Sequence, residues 1–360
     1  MSGTTLWRSL ADGRRSGPAV SFFKLAFAPC ALCYSVILAL RAICYRRGIL
    51  HSQRLPRPVI SVGNLTAGGT GKTPVTAWIA RYLLARGTKV VVLSRGYGGS
   101  LEGKTAVVSD GRTLFLSPAQ CGDEPYLLAS TVPGLAVVIG ADRYRAGLLA
   151  MEQLQPDLFL LDDGYQHLAL QRDLNILLLD AANPFGNGWC LPAGLLREPQ
   201  TAVRRADLVI FTRWEVGRGT LPVPAPSCRV GHRLGSLYRL TDQTTVSLAH
   251  VRESATTACA GIADPAGFFA ALQQLGITLQ SPLSLPDHEP YHAGTVTRIA
   301  GLLASTGARW LLTTEKDAVK LWGSAAPWLQ QVVVVPLELA FDDEEPLLVE
   351  LERRFPCRPC

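Results

Sequence analysis

The stretch SVGNLTAGGTGKTP, residues 61–74, constrains the fold more than any other part of the chain. An apolar, β-branched run, PVISVG (58–63), leads into a glycine-rich turn. TPVTAWIARYLLARG (73–87) follows with helical spacing, a basic last turn at Arg86 and a closing Gly87. Strand, glycine turn, helix is the context of a phosphate-binding loop. Glycines let successive backbone N–H groups curl around an anion, and the following helix points its positive end at it. The strict pattern is G-x-x-x-x-G-K-[ST]; here Thr66 stands at the first glycine position, and Gly68 and Gly69 supply the permissive backbone instead. Thr66, Ala67, Gly68, Gly69, Thr70, Gly71, Lys72 and Thr73 therefore form the expected nucleotide loop. Lys72 would bridge β- and γ-phosphates, and Thr73 would put its hydroxyl on Mg²⁺. Pro74 falls in the first helical turn, where its missing N–H costs nothing.

Further apolar runs alternate with amphipathic stretches: KVVVLS (89–94), TAVVSD (105–110), LAVVIG (135–140), DLFLLDD (157–163), LNILLLD (174–180) and DLVIFT (207–212) read as strands, and 73–86, 142–154 and 264–275 as helices. Apolar, β-branched strands alternating with helices predict an α/β, doubly wound, mostly parallel sheet of the P-loop NTPase kind. DLFLLDD ends on Asp162 and Asp163, placed as the acidic partners that hold Mg²⁺ beside a phosphate loop. Three prolines in LPVPAPS (221–227) suggest a linker, after which TACAGI (257–262), RWLLTT (309–314) and VVVVPL (332–337) outline a second, smaller α/β unit. The expected division is a membrane-associated segment at 1–57, a kinase core at 58–225 and a C-terminal domain at 226–360.

The N-terminal segment sets the address. Residues 1–57 carry nine Lys/Arg against Asp12, a net +8, so the remaining 303 residues sum to −2 of the chain's +6. The basic character is thus not that of a nucleic-acid-binding face on the globular part. LAFAPCALCYSVILAL (25–40) is free of charge, and as a helix would be about 24 Å long, short of a hydrocarbon core of about 30 Å. Arg8, Arg14, Arg15 and Lys24 lie before it and Arg41, Arg46, Arg47, Arg54 and Arg57 after it. Basic residues on both sides fit a helix dipping into one leaflet better than a clean span. A cleaved signal peptide or a buried core helix are the alternatives. The nine cysteines lie scattered, and the CxxC pairs Cys30/Cys33 and Cys357/Cys360 sit at opposite ends, so reduced thiols are expected rather than a zinc site.

A membrane-bound ATPase of the ParA/MinD type needs a second lysine where Ala67 stands, and a GTPase needs N-K-x-D where TTEKD (313–317) lacks the Asn. A kinase acting at a membrane remains. Its acceptor hydroxyl needs a proton acceptor. Asp123, Glu124, Asp162, Asp163, His167, Asp287 and His288 are the candidates.

SVGNLTAGGTGKTP, SRGYG (94–98), GDEP (122–125), GADRYRAG (140–147), LDDGYQH (161–167), LPAGLLREP (191–199), FTRW (211–214), PDHEPY (286–291) and TTEKDAVKL (313–321) occur together and in this order. In this the chain resembles the tetraacyldisaccharide 4'-kinase family of lipid A biosynthesis, over residues from about 20 to 340. It departs at GIADP (261–265), where the family has Gly-Asn before Pro, and at Tyr165, where Phe is commoner. The resemblance implies transfer of the ATP γ-phosphate to the 4'-hydroxyl of a lipid-linked glucosamine disaccharide. It implies work at the cytoplasmic face of the inner membrane, where a basic flank suits anionic headgroups. It points to Asp123 as base, supported by His288, with Lys72 on the phosphates. The metal group would be Thr73, Asp162, Asp163 and Glu198. Asp123 and His288 flank the expected linker, which implies a cleft that closes over the nucleotide. Arg143 and Arg145 are placed to meet phosphate or to lie solvated on a helix face, and His167 to brace the Asp162–Asp163 turn. A monomer is expected. A P-loop kinase for another lipid or sugar, and a nucleotide-switched membrane-binding ATPase, are the rival readings.

Overall fold

The computed structural model describes residues 7, 10–13, 17–322 and 326–356. Arg8, Arg14, Arg15 and the Cys357/Cys360 pair lie outside them. The β-branched runs become β1 (Val59–Asn64), β2 (Val90–Ser94), β3 (Ala106–Asp110), β4 (Ala136–Ile139), β5 (Leu158–Asp162), β6 (Leu174–Asp180) and β7 (Leu208–Thr212). Two more strands join the same sheet: β8 (Ser227–Leu234) and, from the C-terminal end, β14 (Leu337–Asp343). The order is β14-β8-β7-β6-β1-β5-β2-β4-β3. The seven strands from β8 to β4 are parallel, while β14 and β3 cap the two edges antiparallel.

Both faces are covered, which is why the inner strands read as continuous apolar runs. On one face Ile60 and Val62 of β1 pack with Val75, Ile79 and Leu83 of the helix Lys72–Ala85. On the other, Val59 packs with Phe159 and Leu161 of β5 and with Ala146 and Ala150 of the helix Arg143–Gln153. The smaller sheet has the order β11-β10-β12-β13-β9, built from β9 (Tyr238–Arg239), β10 (Thr256–Ala260), β11 (Leu283–Ser284), β12 (Trp310–Thr314) and β13 (Val332–Val335). The proline-rich stretch 221–226 joins β7 to β8, neighbours in the larger sheet, so the two sheets do not divide the chain at 225/226. The chain crosses between sheets twice, at 235–237 and at Pro336, and Gly235 N donates to Pro336 O at 2.8 Å where the crossings meet.

The N-terminal helix corrects the expected length. It runs Pro18–Arg46, 29 residues, or about 44 Å, with Pro18 in the first turn where its fixed φ favours helix entry. Within it Val20–Arg46 is long and apolar enough to cross a membrane by length and composition. Only 6% of its most apolar window is buried, which rules out the core-helix alternative. Phe22, Leu25, Leu32 and Ile37 are each more than half exposed. The inner end is fastened to the body: Tyr34 packs beside Tyr165 and Leu196, and Arg41 donates to Gln166 O at 3.3 Å.

Candidate active site

The phosphate side is built where two strand tips meet. The register Val62↔Asp162 sets the C-terminal ends of β1 and β5 side by side. Gly63 permits this, since a Cβ there would stand 2.7 Å from Tyr165 Cβ and 2.8 Å from Tyr165 N. The loop turns at Gly68 (φ 133°) and Gly71 (φ 77°), and Gly71 precedes the helix in the left-handed region that disfavours a side chain. Its first half is pinned by the LLREP segment: Ala67 N donates to Leu195 O and Arg197 N to Leu65 O, both at 2.7 Å. Arg213 braces the second half, donating to Gly69 O at 2.5 Å and to Asp180 Oδ2 at 2.9 Å.

Lys72 Nζ donates to Asn64 Oδ1 at 3.5 Å and lies 3.8 Å from Asp163 Oδ1. Asp163, at φ 54°, is also gripped by Arg197 Nη1 at 2.8 and 3.0 Å. Burial pushes its carboxyl up, but Lys72 and Arg197 outweigh that and hold it below the usual carboxylate range. Asp162 is fully buried and accepts from Thr76 Oγ1 at 3.2 Å. Burial first, then Glu124 and Asp163, push it up to about 7. A buried carboxylate repelled by two others is a donor set that a divalent cation suits. Among the described residues no group of three or more His, Cys, Asp or Glu forms a complete cage. Phosphate and water oxygens would therefore complete the shell, as Mg²⁺ prefers. Thr73, in the first helical turn, lines the adjoining cleft with Lys72 and Glu124.

Glu198 is not brought into this group: it is buried, with its two oxygens bonded to Arg205 at 2.6 and 2.9 Å. Arg143 is buried rather than solvated, donating to Gly140 O at 2.6 Å, with Asp162 and Asp163 supporting its charge. Arg145 is exposed and pairs with Asp142. The His167 ring is pushed down to about 4 by burial, Arg143 and Arg172, so it is neutral.

The opposite side brings together residues 165 positions apart. Asp123 opens the helix Asp123–Thr131, and Asp123 Oδ2 lies 3.2 Å from His288 Nδ1 and 3.1 Å from Lys320 Nζ. Burial opposes ionisation of Asp123, but the His288 bond and Lys320 outweigh it and hold its carboxyl below the usual range. His288 sits at φ 60° and meets Tyr97 edge-on. Asp287 pairs with Lys316 at 3.4 Å instead of facing the phosphate loop. Glu124, next to Asp123, lines a cavity of about 610 Å³ that separates the nucleotide loop from Ile262, Ala263, Phe268 and Lys316 at the tips of the smaller sheet. The loop thus lines one cleft with Glu124 and Lys316, and the Asp123–His288 pair adjoins it through these two, Glu124 following Asp123 in the chain and Lys316 contacting His288.

Thr76, Arg197, Arg213, Lys316 and Lys320 were not singled out from the sequence. All but Thr76 lie inside quoted motifs (LLREP, FTRW, TTEKDAVKL), which was the available signal. Thr76 lies one helical turn beyond Lys72, on the face turned to β5.

A family model described as Tetraacyldisaccharide-1-P 4'-kinase matches residues 23–355. A tetraacyldisaccharide 4'-kinase of Pelobacter propionicus is 56% identical over 95% of this chain and 96% of its own length. One of Geobacter sulfurreducens is 52% identical over 98% and 99%. The crystal structure of LpxK from Aquifex aeolicus in complex with ATP superposes with a TM-score of 0.78 at 35% identity, covering 92% of this chain and 99% of that one. With this match along almost its full length, the chain belongs to the tetraacyldisaccharide-1-P 4'-kinase family.

Proposed function

We propose that this chain transfers the γ-phosphate of ATP to the 4'-hydroxyl of a tetraacyl glucosamine-disaccharide 1-phosphate at the cytoplasmic face of the inner membrane. The observation that carries the reading is one cleft with two ends. A lysine-bearing glycine loop lies at one end, with Asp162 at the neighbouring strand tip, and a part-buried carboxylate–imidazole pair adjoins the other through Glu124 and Lys316. Loop amides and Lys72 would hold the β- and γ-phosphates in line with the acceptor, and Thr73 with Asp162 or Asp163 would hold Mg²⁺, which would supply charge neutralisation on the phosphates. Asp123, supported by His288, takes the hydroxyl proton as the 4'-oxygen bonds to phosphorus. The bond from phosphorus to the β–γ bridging oxygen breaks, and ADP leaves with that electron pair. The helix Pro18–Arg46 seats the chain where acylated substrate and cytosolic nucleotide meet, and its basic flanks suit anionic headgroups. Residues 58–234 with 337–355 act as the kinase core, and 238–335 as the unit that brings His288. Both halves of the site come from one chain, so a monomer suffices.

The test is the purified full chain with labelled ATP and the lipid precursor lacking the 4'-phosphate, product being identified by mass. ATP turnover that ignores the disaccharide lipid would overturn the reading. Asp123→Ala should lower turnover far more than nucleotide affinity; equal loss of both would reassign Asp123 to ATP or metal binding.

A further inference from the structure

TTEKDAVKL (313–321) has no part in the phosphate chemistry above, yet its helix Glu315–Leu321 is firmly seated. The Thr314 hydroxyl accepts from Asp317 N at 3.2 Å and donates to Asp317 Oδ2 at 2.7 Å. The fully buried Asp317 also accepts from Gly261 N at 2.9 Å, fastening the helix to the end of β10. Lys316 and Lys320 stand four residues apart on one face, and both reach the Asp123–His288 pair. Lys320 Nζ, 4% exposed, makes an ion pair with Asp123 Oδ2 at 3.1 Å, lies 3.8 Å from Asp317 Oδ1, and sits over the Tyr291 ring. This contact is charge on charge rather than an aligned hydrogen bond. Lys316 Nζ is 3.2 Å from His288 Nε2 and 3.4 Å from Asp287 Oδ1.

An ammonium group only donates. His288 Nε2 must therefore accept from Lys316, which leaves the ring proton on Nδ1, facing Asp123. The contacts of His288 and Lys320 both fall on Asp123 Oδ2, so Oδ1 is the atom left for an acceptor hydroxyl. We propose that Lys320 and Lys316 are positioning residues for proton transfer, Lys320 holding Asp123 as the carboxylate and Lys316 holding His288 in its Nδ1–H tautomer. This rests on the reading of Asp123–His288 as the proton-accepting pair. The other ionisable neighbours are Cys121, whose thiol burial pushes up to about 12, and Glu124, Asp287, Asp317 and Tyr291. None of these brings a positive charge, so without Lys320 only the hydrogen bond and charge of His288 would act on Asp123 against burial.

The test is kcat/KM for the lipid acceptor against pH, using the full chain in detergent micelles with saturating Mg·ATP. Lys320→Met should raise the acid limb by about one pH unit, lowering kcat/KM by up to about tenfold on that limb and little at neutral pH. Lys320→Arg should recover most of both. Lys316→Met should lower kcat while leaving KM for ATP in place. In an Asp123→Asn background, Lys320→Met should cost nothing further, because its target is gone; this double variant removes both charges and carries the comparison if the single one does not fold. An acid limb unmoved by Lys320→Met, or the same fold-loss with and without Asp123, would overturn the proposal while leaving the kinase reading intact. Full activity of Asp123→Asn would sink the proton-acceptor reading itself.

Discussion

Replacing Gly63 by Ala is the sharpest test of how the phosphate side is built. Carbon atoms in contact sit about 3.5–4.0 Å apart. The new methyl would stand 2.7 Å from Tyr165 Cβ, an overlap of about 1 Å. Tyr165 cannot swing aside, because the clash involves its backbone N and Cβ, and its buried hydroxyl donates to Ala202 O at 2.7 Å. The tip of β1 and the turn after β5 must then part. Overpacking of this kind costs about 1–3 kcal/mol. For a cooperative unit of 150–250 residues that corresponds to a fall in Tm of roughly 2–12 °C. Parting the tips also separates Lys72 from Asp162 and Asp163, and a displacement of about 1 Å at a reacting centre costs on the order of 10²-fold in rate. Calorimetric melting and steady-state phosphate transfer measure both effects. Gly301→Ala is the control: its Cβ would meet nothing within 4 Å inside the helix Ala293–Thr306, so Tm should hold or rise. Melting within about 1 °C of the parent, with kcat within about twofold, would show that the close approach is not needed.

Lys72→Ala should nearly abolish transfer without lowering Tm, since Lys72 makes only long contacts to Asn64 and Asp163; retained activity would remove it from the phosphate chemistry. Deleting residues 1–46 should release the protein from vesicles of anionic phospholipid, and a truncated chain that still sediments with them would place the anchor elsewhere. Because burial, Glu124 and Asp163 raise the Asp162 carboxyl, cation binding on the acid side must displace a proton there, so Mg·ATP affinity should fall by up to about tenfold per pH unit as pH drops, and fall less steeply in Asp162→Asn. Isothermal titration between about pH 6 and 8 checks this, and a flat profile would take Asp162 out of the metal site.

The strands legible in the sequence are those whose apolar residues are continuous, PVISVG to DLVIFT in the larger sheet and TACAGI, RWLLTT and VVVVPL in the smaller; all but the edge strand TAVVSD are buried along nearly their whole length. The strand β8, SCRVGHRL, alternates buried and half-exposed residues over its first half, and β14 has no fully buried residue, so neither carried that signal. The helix Asp123–Thr131 was hidden by Pro125, which reads as a breaker but sits in the first turn, where it is tolerated. The glycine loop and the Asp162–Asp163 strand end were readable because their pattern is local, whereas Asp123 and His288 stood out from the other candidate acids and histidines only through the family resemblance. Their company was not: Arg197 on Asp163, Arg205 on Glu198 and Lys320 on Asp123 are set by tertiary register, which spacing along the chain does not encode.

Gln166 makes two connections that fix more than local geometry. Its side chain donates to Asn64 O at 2.7 Å, where β1 ends and the nucleotide loop begins, and its own carbonyl accepts from Arg41 of the apolar helix. A single residue therefore clamps the nucleotide floor to the apolar helix that we propose enters the lipid layer. With the helix so seated, the γ-phosphate would be delivered at one altitude above the bilayer, and a sugar hydroxyl would have to be raised to that altitude to react. Selection among acceptors is then partly a matter of elevation, with a headgroup too shallow or too deep passing under or over the phosphate it could otherwise have taken.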